Sequence, residues 1–339
     1  MGIFTDMIDL AGENVGGVAL AASDEFFAPK ENLLKPGRGI FIPEKFTENG
    51  KWMDGWETRR KRIAGNDWAI IRLGMAGIIH GLDIDTNHFL GNYPQFASVD
   101  ACDFPSGPDV TFSPEQVKWV EILKKSPLEG GKRNMFELAE TKGRFTHLRL
   151  NIYPDGGVAR LRVHGEVVPD LNALRQSKDP VDLASVRLGS KVVASNDDFF
   201  GKKHNAILPN SPVNMGDGWE TKRKRRDSYD ALMQDPDWLI IKFGAPGQVS
   251  RIMLDTTYFR GNFPDTVQID GCTFKSESGR IPIQKSVAWK PILNRVKLQG
   301  GKLNIFEQEV MQAGPVNYVR VQIFPDGGIN RIRLIGTLA

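Results

Sequence analysis

Met53-Asp54-Gly55-Trp56-Glu57-Thr58-Arg59-Arg60-Lys61-Arg62 is written a second time in this chain as Met215-Gly216-Asp217-Gly218-Trp219-Glu220-Thr221-Lys222-Arg223-Lys224-Arg225. A turn-forming Asp-Gly, a large aromatic, an acid, a hydroxyl and a basic run recur in one order. Chance rarely reproduces such a string, so the chain is an internal duplication. Working outward, Ala22-Ser23-Asp24-Glu25-Phe26-Phe27 is answered by Ser195-Asn196-Asp197-Asp198-Phe199-Phe200 at an offset of 173, whereas the opening string repeats at 163. The first copy therefore carries ten extra residues in the Gly/Pro-bearing stretch around Lys35 to Phe46. Asp67-Trp68 and Asp237-Trp238 lie 170 apart, which places seven extra residues in the second copy around Asp227 to Gln234. Surface loops are where such length changes are absorbed. One module is expected over residues 1–168 and the other over 182–339, with the polar, proline-bounded stretch 169–181 as linker.

Nearly all of the pattern is β. Trp68-Ala69-Ile70-Ile71-Arg72-Leu73-Gly74 and Trp238-Leu239-Ile240-Ile241-Lys242-Phe243-Gly244 are short apolar runs ended by glycine, strand-like by length and branching. Thr146 to Tyr153 alternates, with Leu148, Leu150 and Ile152 on one face and His147, Arg149 and Asn151 on the other. Pro154-Asp155-Gly156-Gly157, repeated as Pro325-Asp326-Gly327-Gly328, then predicts a hairpin turn into a strand with Leu161 and Val163 inward and Arg160 and Arg162 outward. Only short stretches such as Pro114 to Lys125 offer a helical prospect. Many short strands with turn punctuation in modules of this size predict an all-β chain of two tandem jelly-roll β-sandwiches, of the galactose-binding or discoidin-like kind.

The 339 residues are 40% hydrophobic and 25% charged, an ordinary globular composition with a net charge of +3. So balanced a surface argues against a dedicated nucleic-acid binder. Cys102 and Cys272 occupy matching places in the two copies, so neither module can close its own disulfide, and both read as buried thiols in a reducing compartment. Asp6 and Asp9 interrupt any signal-peptide pattern, and no apolar run approaches the ~20 residues that span a bilayer. The expected setting is cytoplasmic, without membrane attachment.

Three repeated polar sets could carry chemistry. The basic runs are braced strand ends or hold one inward arginine per module against a carboxylate, since guanidinium grips such anions in bidentate fashion. Arg59, Arg60, Arg160 and Arg223 are the candidates. Gly91-Asn92-Tyr93-Pro94 and Gly261-Asn262-Phe263-Pro264 mark shaped turns; asparagine there is first a turn former, and second an amide able to donate and accept. Asn134-Met135-Phe136-Glu137 and Asn304-Ile305-Phe306-Glu307 offer another amide and acid at fixed spacing. Glu57, Glu220, Glu137, Asp155 and His88 are the proton-transfer candidates. The five histidines show no metal-binding spacing, which leaves only a carboxylate-bound divalent ion open. No phosphate-binding glycine loop or nucleophile elbow is present, and no cofactor is called for.

Taken together, Ser23-Asp24-Glu25-Phe26-Phe27, Asp54-Gly55-Trp56-Glu57-Thr58-Arg59-Arg60, Asp85-Thr86-Asn87-His88-Phe89-Leu90-Gly91-Asn92, Asn134-Met135-Phe136-Glu137 and Tyr153-Pro154-Asp155-Gly156-Gly157, with their second copies, resemble the allantoicase family. The resemblance covers nearly the whole chain. It implies hydrolysis of allantoate to ureidoglycolate and urea in purine breakdown, and leaves room for a homo-oligomer. Allantoate has one carboxylate and two ureido arms on one carbon. Its site needs a cation (Arg59, Arg60, Arg160 or Arg223), amide partners (Asn92, Asn134 or Asn304) and an acid/base pair (from Glu57, Glu137, Asp155, His88 or Glu220). The rival expectation is a non-catalytic tandem jelly-roll protein that binds carbohydrate or another small ligand. Such modules usually present aromatic platforms in secreted chains, and no signal peptide is evident here.

Overall fold

The computed structural model describes residues 3–104, 112–138, 143–275, 281–283 and 287–339. The chain forms two compact units, Met1–Pro169 and Asp170–Ala339. Each is an antiparallel β structure organised on one 19-residue strand, Asp67–Asp85 in the first unit and Asp237–Asp255 in the second. In the first unit the order is Ile8–Asp9, Arg160–Val167, the long strand, Phe145–Tyr153, Phe96–Cys102 and Val120–Pro127, with Val18–Ala22 and Arg133–Glu137 also on the long strand. The second unit repeats this order.

The long strand explains why a sandwich forms. Its first half pairs with Phe145–Tyr153 and Val18–Ala22, and its second half with Arg160–Val167 and Arg133–Glu137. One strand thus feeds two layers, and it changes partners at Gly74–Gly77. A Cβ on Gly74 would sit 2.5 Å from the Val15 carbonyl oxygen, and one on Gly77 2.1 Å from that of Glu166. The glycine expected to end the strand instead lets neighbouring backbone close on it, so the strand runs on.

A similar correction applies to Pro154-Asp155-Gly156-Gly157. The strands it joins do not pair with each other; one lies on the first half of the long strand and the other on the second. The segment is therefore an arch between layers rather than a hairpin turn. Gly156, at φ 138°, has the Pro94 nitrogen 2.7 Å from where a Cβ would stand. Just beyond it, Gly157–Val158 pairs with Trp56–Glu57, and Gly328–Ile329 pairs with Trp219–Glu220. This small ribbon places the acid of the repeated string against the arch.

Trp56 and Trp219 are fully buried, and each indole N–H donates to a backbone carbonyl, Asp24 O or Asp197 O, at 2.8 Å. The large ring supplies apolar burial and the single donor is satisfied, so no polar penalty is left. Leu148, Leu150 and Ile152 fill the core as the alternation predicts. The opposite face is also covered: Asn151 and Arg149 bond Asp100, Arg149 lies over Trp119, and His147 stacks on Phe112.

Arg160 does not face outward. It is 3% exposed and donates to Asp54 Oδ2 at 2.7 Å, to Asp54 O and to Ala159 O. Arg162 is half-buried and donates to Lys35 O and Gly37 O, while Arg38 grips Asp85 with two bonds of 2.8 and 2.9 Å. Arg162 and Arg38 tie the start of the Lys35 to Phe46 stretch to the sandwich. Pro114 to Lys125 is not helical; it makes a turn and then enters the strand Val120–Pro127. Helix appears at Leu171–Ser177 and at Tyr229–Met233. The latter fills the seven-residue insertion of the second copy, with the Ser228 hydroxyl accepting from Ala231 N. Among the described residues no helix is long and apolar enough to cross a membrane.

Candidate active site

Four repeated motifs meet at one end of each sandwich. In the second unit they enclose a cleft of about 580 Å³ lined by Phe200, Glu220, Thr221, Arg223, Asn262, Phe263, Asp265 and Asp326, among others. The counterparts in the first unit are Phe27, Glu57, Thr58, Arg60, Asn92, Tyr93, Gln95 and Asp155.

The same hydrogen bonds assemble both copies. Asn92 Nδ2 donates to Glu57 Oε1 at 2.6 Å, and Asn262 Nδ2 to Glu220 Oε1 at 2.6 Å. The asparagine loop is tied to the arch by Gly157 N to Asn92 O at 2.8 Å, and by Gly328 N to Asn262 O at 2.9 Å. Thr58 and Gly156 exchange bonds, Thr58 N to Gly156 O and Gly156 N to Thr58 Oγ1. Asp155 Oδ2 accepts from Lys61 N at 2.8 Å, and Asp326 Oδ2 from Lys224 N at 2.7 Å. The Asp of the arch thus orders the backbone of the basic run and turns that run past the cleft.

The electrostatics follow from burial. Glu57 is only 8% exposed, and loss of water raises its carboxyl above the ordinary glutamate range, with the Asn92 bond pulling the other way. Burial also raises Asp326, and nearby Asp237 adds to it. Arg60 and Arg223 are exposed and make no ion pair among the described residues, so their guanidinium groups are open to an incoming anion. A buried, protonatable acid held by an oriented amide in the first unit, and an acid, an amide and an open cation around the cleft of the second, suit an anionic ligand that also carries amide-like groups.

The remaining sequence candidates go elsewhere. Arg59 is bound to Asp24 through its backbone N–H and Nε, and lies over the Phe26 ring. Arg160 is consumed by Asp54 beneath the insertion, so neither of these two is free to hold an anion. The Asn134 amide donates to Ile84 O and Glu129 O and accepts from Glu129 N; Asn304 does the same with Leu254 O, Gln299 O and Gln299 N. Both close turns, which leaves no free amide for a ureido group. Glu137 is exposed and paired in register with Gly81, four residues along the long strand from Asp85; its counterpart Glu307 pairs with Arg251. His88 has φ 68° and stacks on Phe41. Among the described residues no three His, Cys, Asp or Glu side chains converge to hold a metal ion.

Sequence reasoning passed over Phe27 and Phe200, Tyr93 and Phe263, and the Gln95/Asp265 position. The first pair had a signal in the twice-written Phe-Phe; the last differs between copies, so repetition could not flag it.

The allantoicase repeat family model matches residues 8–168 and again 181–339. The chain is 43% identical over 332 residues to a probable allantoicase of Burkholderia mallei, covering 98% of this chain and 94% of that protein. It is 40% identical over 337 residues to a probable allantoicase of Pseudomonas fluorescens, covering 99% and 98%. The crystal structure of allantoicase from Saccharomyces cerevisiae superposes with a TM-score of 0.76 at 35% identity, covering 98% of this chain and 93% of that one. Two matched repeats, relatives of near full-length coverage and a shared fold establish that this chain belongs to the allantoicase family.

Proposed function

We propose that this enzyme hydrolyses allantoate to ureidoglycolate and urea at the first-unit cluster of Glu57, Asn92, Arg60 and Asp155, and at its repeat, the cleft around Glu220, Asn262, Arg223 and Asp326. The observation that carries the assignment is the 2.6 Å Asn–Glu bond, made in both copies, with an arginine of the same string that makes no ion pair among the described residues. Arg60 holds the substrate carboxylate as a charge-assisted pair. The Asn92 carboxamide, besides fixing Glu57, faces the ureido arm with its remaining polar valences.

In the reacting step the bond from the central carbon to one ureido nitrogen breaks, and a bond from water oxygen to that carbon forms. Glu57, held proton-rich by burial, gives its proton to the departing nitrogen, and Asp155 takes one from water. The products are urea and a carbon bearing hydroxyl, carboxylate and the second ureido arm, which is ureidoglycolate. Two free buried thiols, Cys102 and Cys272, support a cytoplasmic setting for this chemistry. The test is urea release from allantoate by the purified protein and its variants. Glu57→Gln is expected to lower kcat about 100-fold or more, the usual scale of general acid catalysis. Full urea release from a double Glu57→Gln/Glu220→Gln variant would remove these acids from the chemistry.

A further inference from the structure

The second-unit cleft and the first-unit cluster that repeats its motifs differ in three independent respects. The first is a wall. The stretch that leads from the insertion into the first repeated string forms a hairpin of Phe46–Thr47 and Gly50–Lys51. Asn49 Nδ2 donates to Phe26 O at 2.7 Å, and a Cβ on Gly50 would lie 3.9 Å from Phe27 Cε1. Phe27 is the counterpart of Phe200, which lines the second cleft. The hairpin therefore lies against Phe26 and Phe27, of which Phe26 is 40% exposed and Phe27 half-buried. In the second unit the corresponding residues, 208–214, carry no strand, and Phe199 and Phe200 stand 60% and 61% exposed.

The second difference is charge. Asp265 lines the second cleft where the first has Gln95, and its nearest cation is the exposed Lys297, at 2.8 Å, which Pro127 replaces in the first copy. The third is the acid itself. Glu57 is buried and bonded to Asn92, whereas Glu220 is half-buried and Asn262 also lies 3.3 Å from Met215 Sδ.

A site walled at its aromatic rim, with its acid buried, favours a small substrate and holds that acid proton-rich; in the open cleft the Asp265 carboxylate, only partly offset by the solvent-exposed Lys297, adds negative charge near the anion. Resting on the assignment of these two sites to allantoate, we infer that turnover is carried by the first-repeat site around Glu57 and Asn92, and that the hairpin Phe46–Lys51 is its specificity wall. The second-repeat cleft is a weaker site for the same anion. Installing glutamine at Asp265 is expected to strengthen it.

The experiment compares steady-state urea release by the full chain carrying Glu57→Gln, Glu220→Gln, Asn49→Ala, or a Gly-Gly replacement of residues 46–51, with thermal midpoints as a folding check. Glu57→Gln should lower kcat about 100-fold or more, and Glu220→Gln by less than about tenfold. Asn49→Ala and the hairpin replacement should raise KM by about threefold and about tenfold while kcat moves less, a split that a merely structural role would not produce. If Glu57→Gln and Glu220→Gln cut kcat equally, the copies share the work and this inference is overturned, although the cleft assignment stands. If neither lowers kcat, both fall. An unmoved KM in Asn49→Ala and in a folded hairpin replacement would remove the wall. Calorimetric titration with allantoate in a Glu57→Gln background supplies the last arm: Asp265→Gln should tighten binding at the second cleft about fivefold, and no tightening would overturn the charge argument.

Discussion

Asn92 and Glu57 come from motifs 35 residues apart and meet in a 2.6 Å hydrogen bond from Nδ2 to Oε1. The bond stabilises the carboxylate, while burial of Glu57 destabilises it, and burial is the larger effect. Because the folded pKa lies above the ordinary value, the protonated form is retained into a higher pH range. Urea release should therefore decline as pH climbs through that raised pKa. Asn92→Ala removes the opposing bond and should move this limb further up in pH, as read from a kcat–pH profile.

The same shift has a stability consequence with a definite sign. A carboxyl with a raised folded pKa contributes stability fully below its unfolded pKa and loses it as pH rises through the folded one. Glu57→Gln should raise the thermal midpoint at neutral pH, and the gain should vanish below the ordinary glutamate range. A stabilised but inactive variant is the expected signature of an acid kept for function.

Arg160 and Asp54 form a buried ion pair at 2.7 Å, with side chains 3% and 8% exposed. Although burial opposes ionisation, the Arg160 guanidinium and Ile40 N–H hold Asp54 below the usual carboxylate range. Arg160→Met would strand that carboxylate and should cost about 3–5 kcal/mol in denaturant unfolding. Adding Asp54→Leu should recover most of the loss, since neither charge is then buried alone.

Arg59 and Arg60 are adjacent but should behave differently. Arg59 is spent on Asp24 at an exposed position, so Arg59→Ala should cost less than about 1 kcal/mol and change KM little. Arg60 has no such partner among the described residues, and Arg60→Ala should raise KM for allantoate about tenfold. Equal KM effects in the two variants would show that the carboxylate is held elsewhere.

Cys102 and Cys272 are buried, and burial pushes both thiols up to about 11. The folded protein should not react with a thiol reagent at pH 8, and two thiols should titrate after denaturation.

His147 is pushed down to about 4, first by burial and then by Arg72, and it stacks on Phe112 with centroids 4.1 Å apart. Below the unfolded value of about 6.5 the unfolded chain binds a proton that the folded one refuses. Stability should fall by up to about 3 kcal/mol between those two values as pH drops. His147→Phe should flatten that slope in urea titrations.

Duplication, β class, jelly-roll architecture and family were all legible in the sequence, because they are one-dimensional signals. A repeated string, an alternation such as Leu148, Leu150 and Ile152, and a turn residue at a fixed offset need no partner to be seen. Site residues were less legible, because a side chain's role depends on what it meets. Asn92 alone reads as a turn former and Arg160 as a solvent-facing strand residue; Asn134 and Glu57 look alike as repeated polar positions. Only the tertiary structure joined Asn92 to Glu57, consumed Asn134 within its own turn, and sank Arg160 beneath the insertion. It also turned Pro154-Asp155-Gly156-Gly157 from a hairpin into an arch, since pairing to opposite halves of Asp67–Asp85 is a long-range choice. The sequence by itself determined which residues recur and hence what kind of fold and family this is. The tertiary structure decided which recurring residues meet, because contact between distant segments is set by packing and backbone pairing rather than by local pattern.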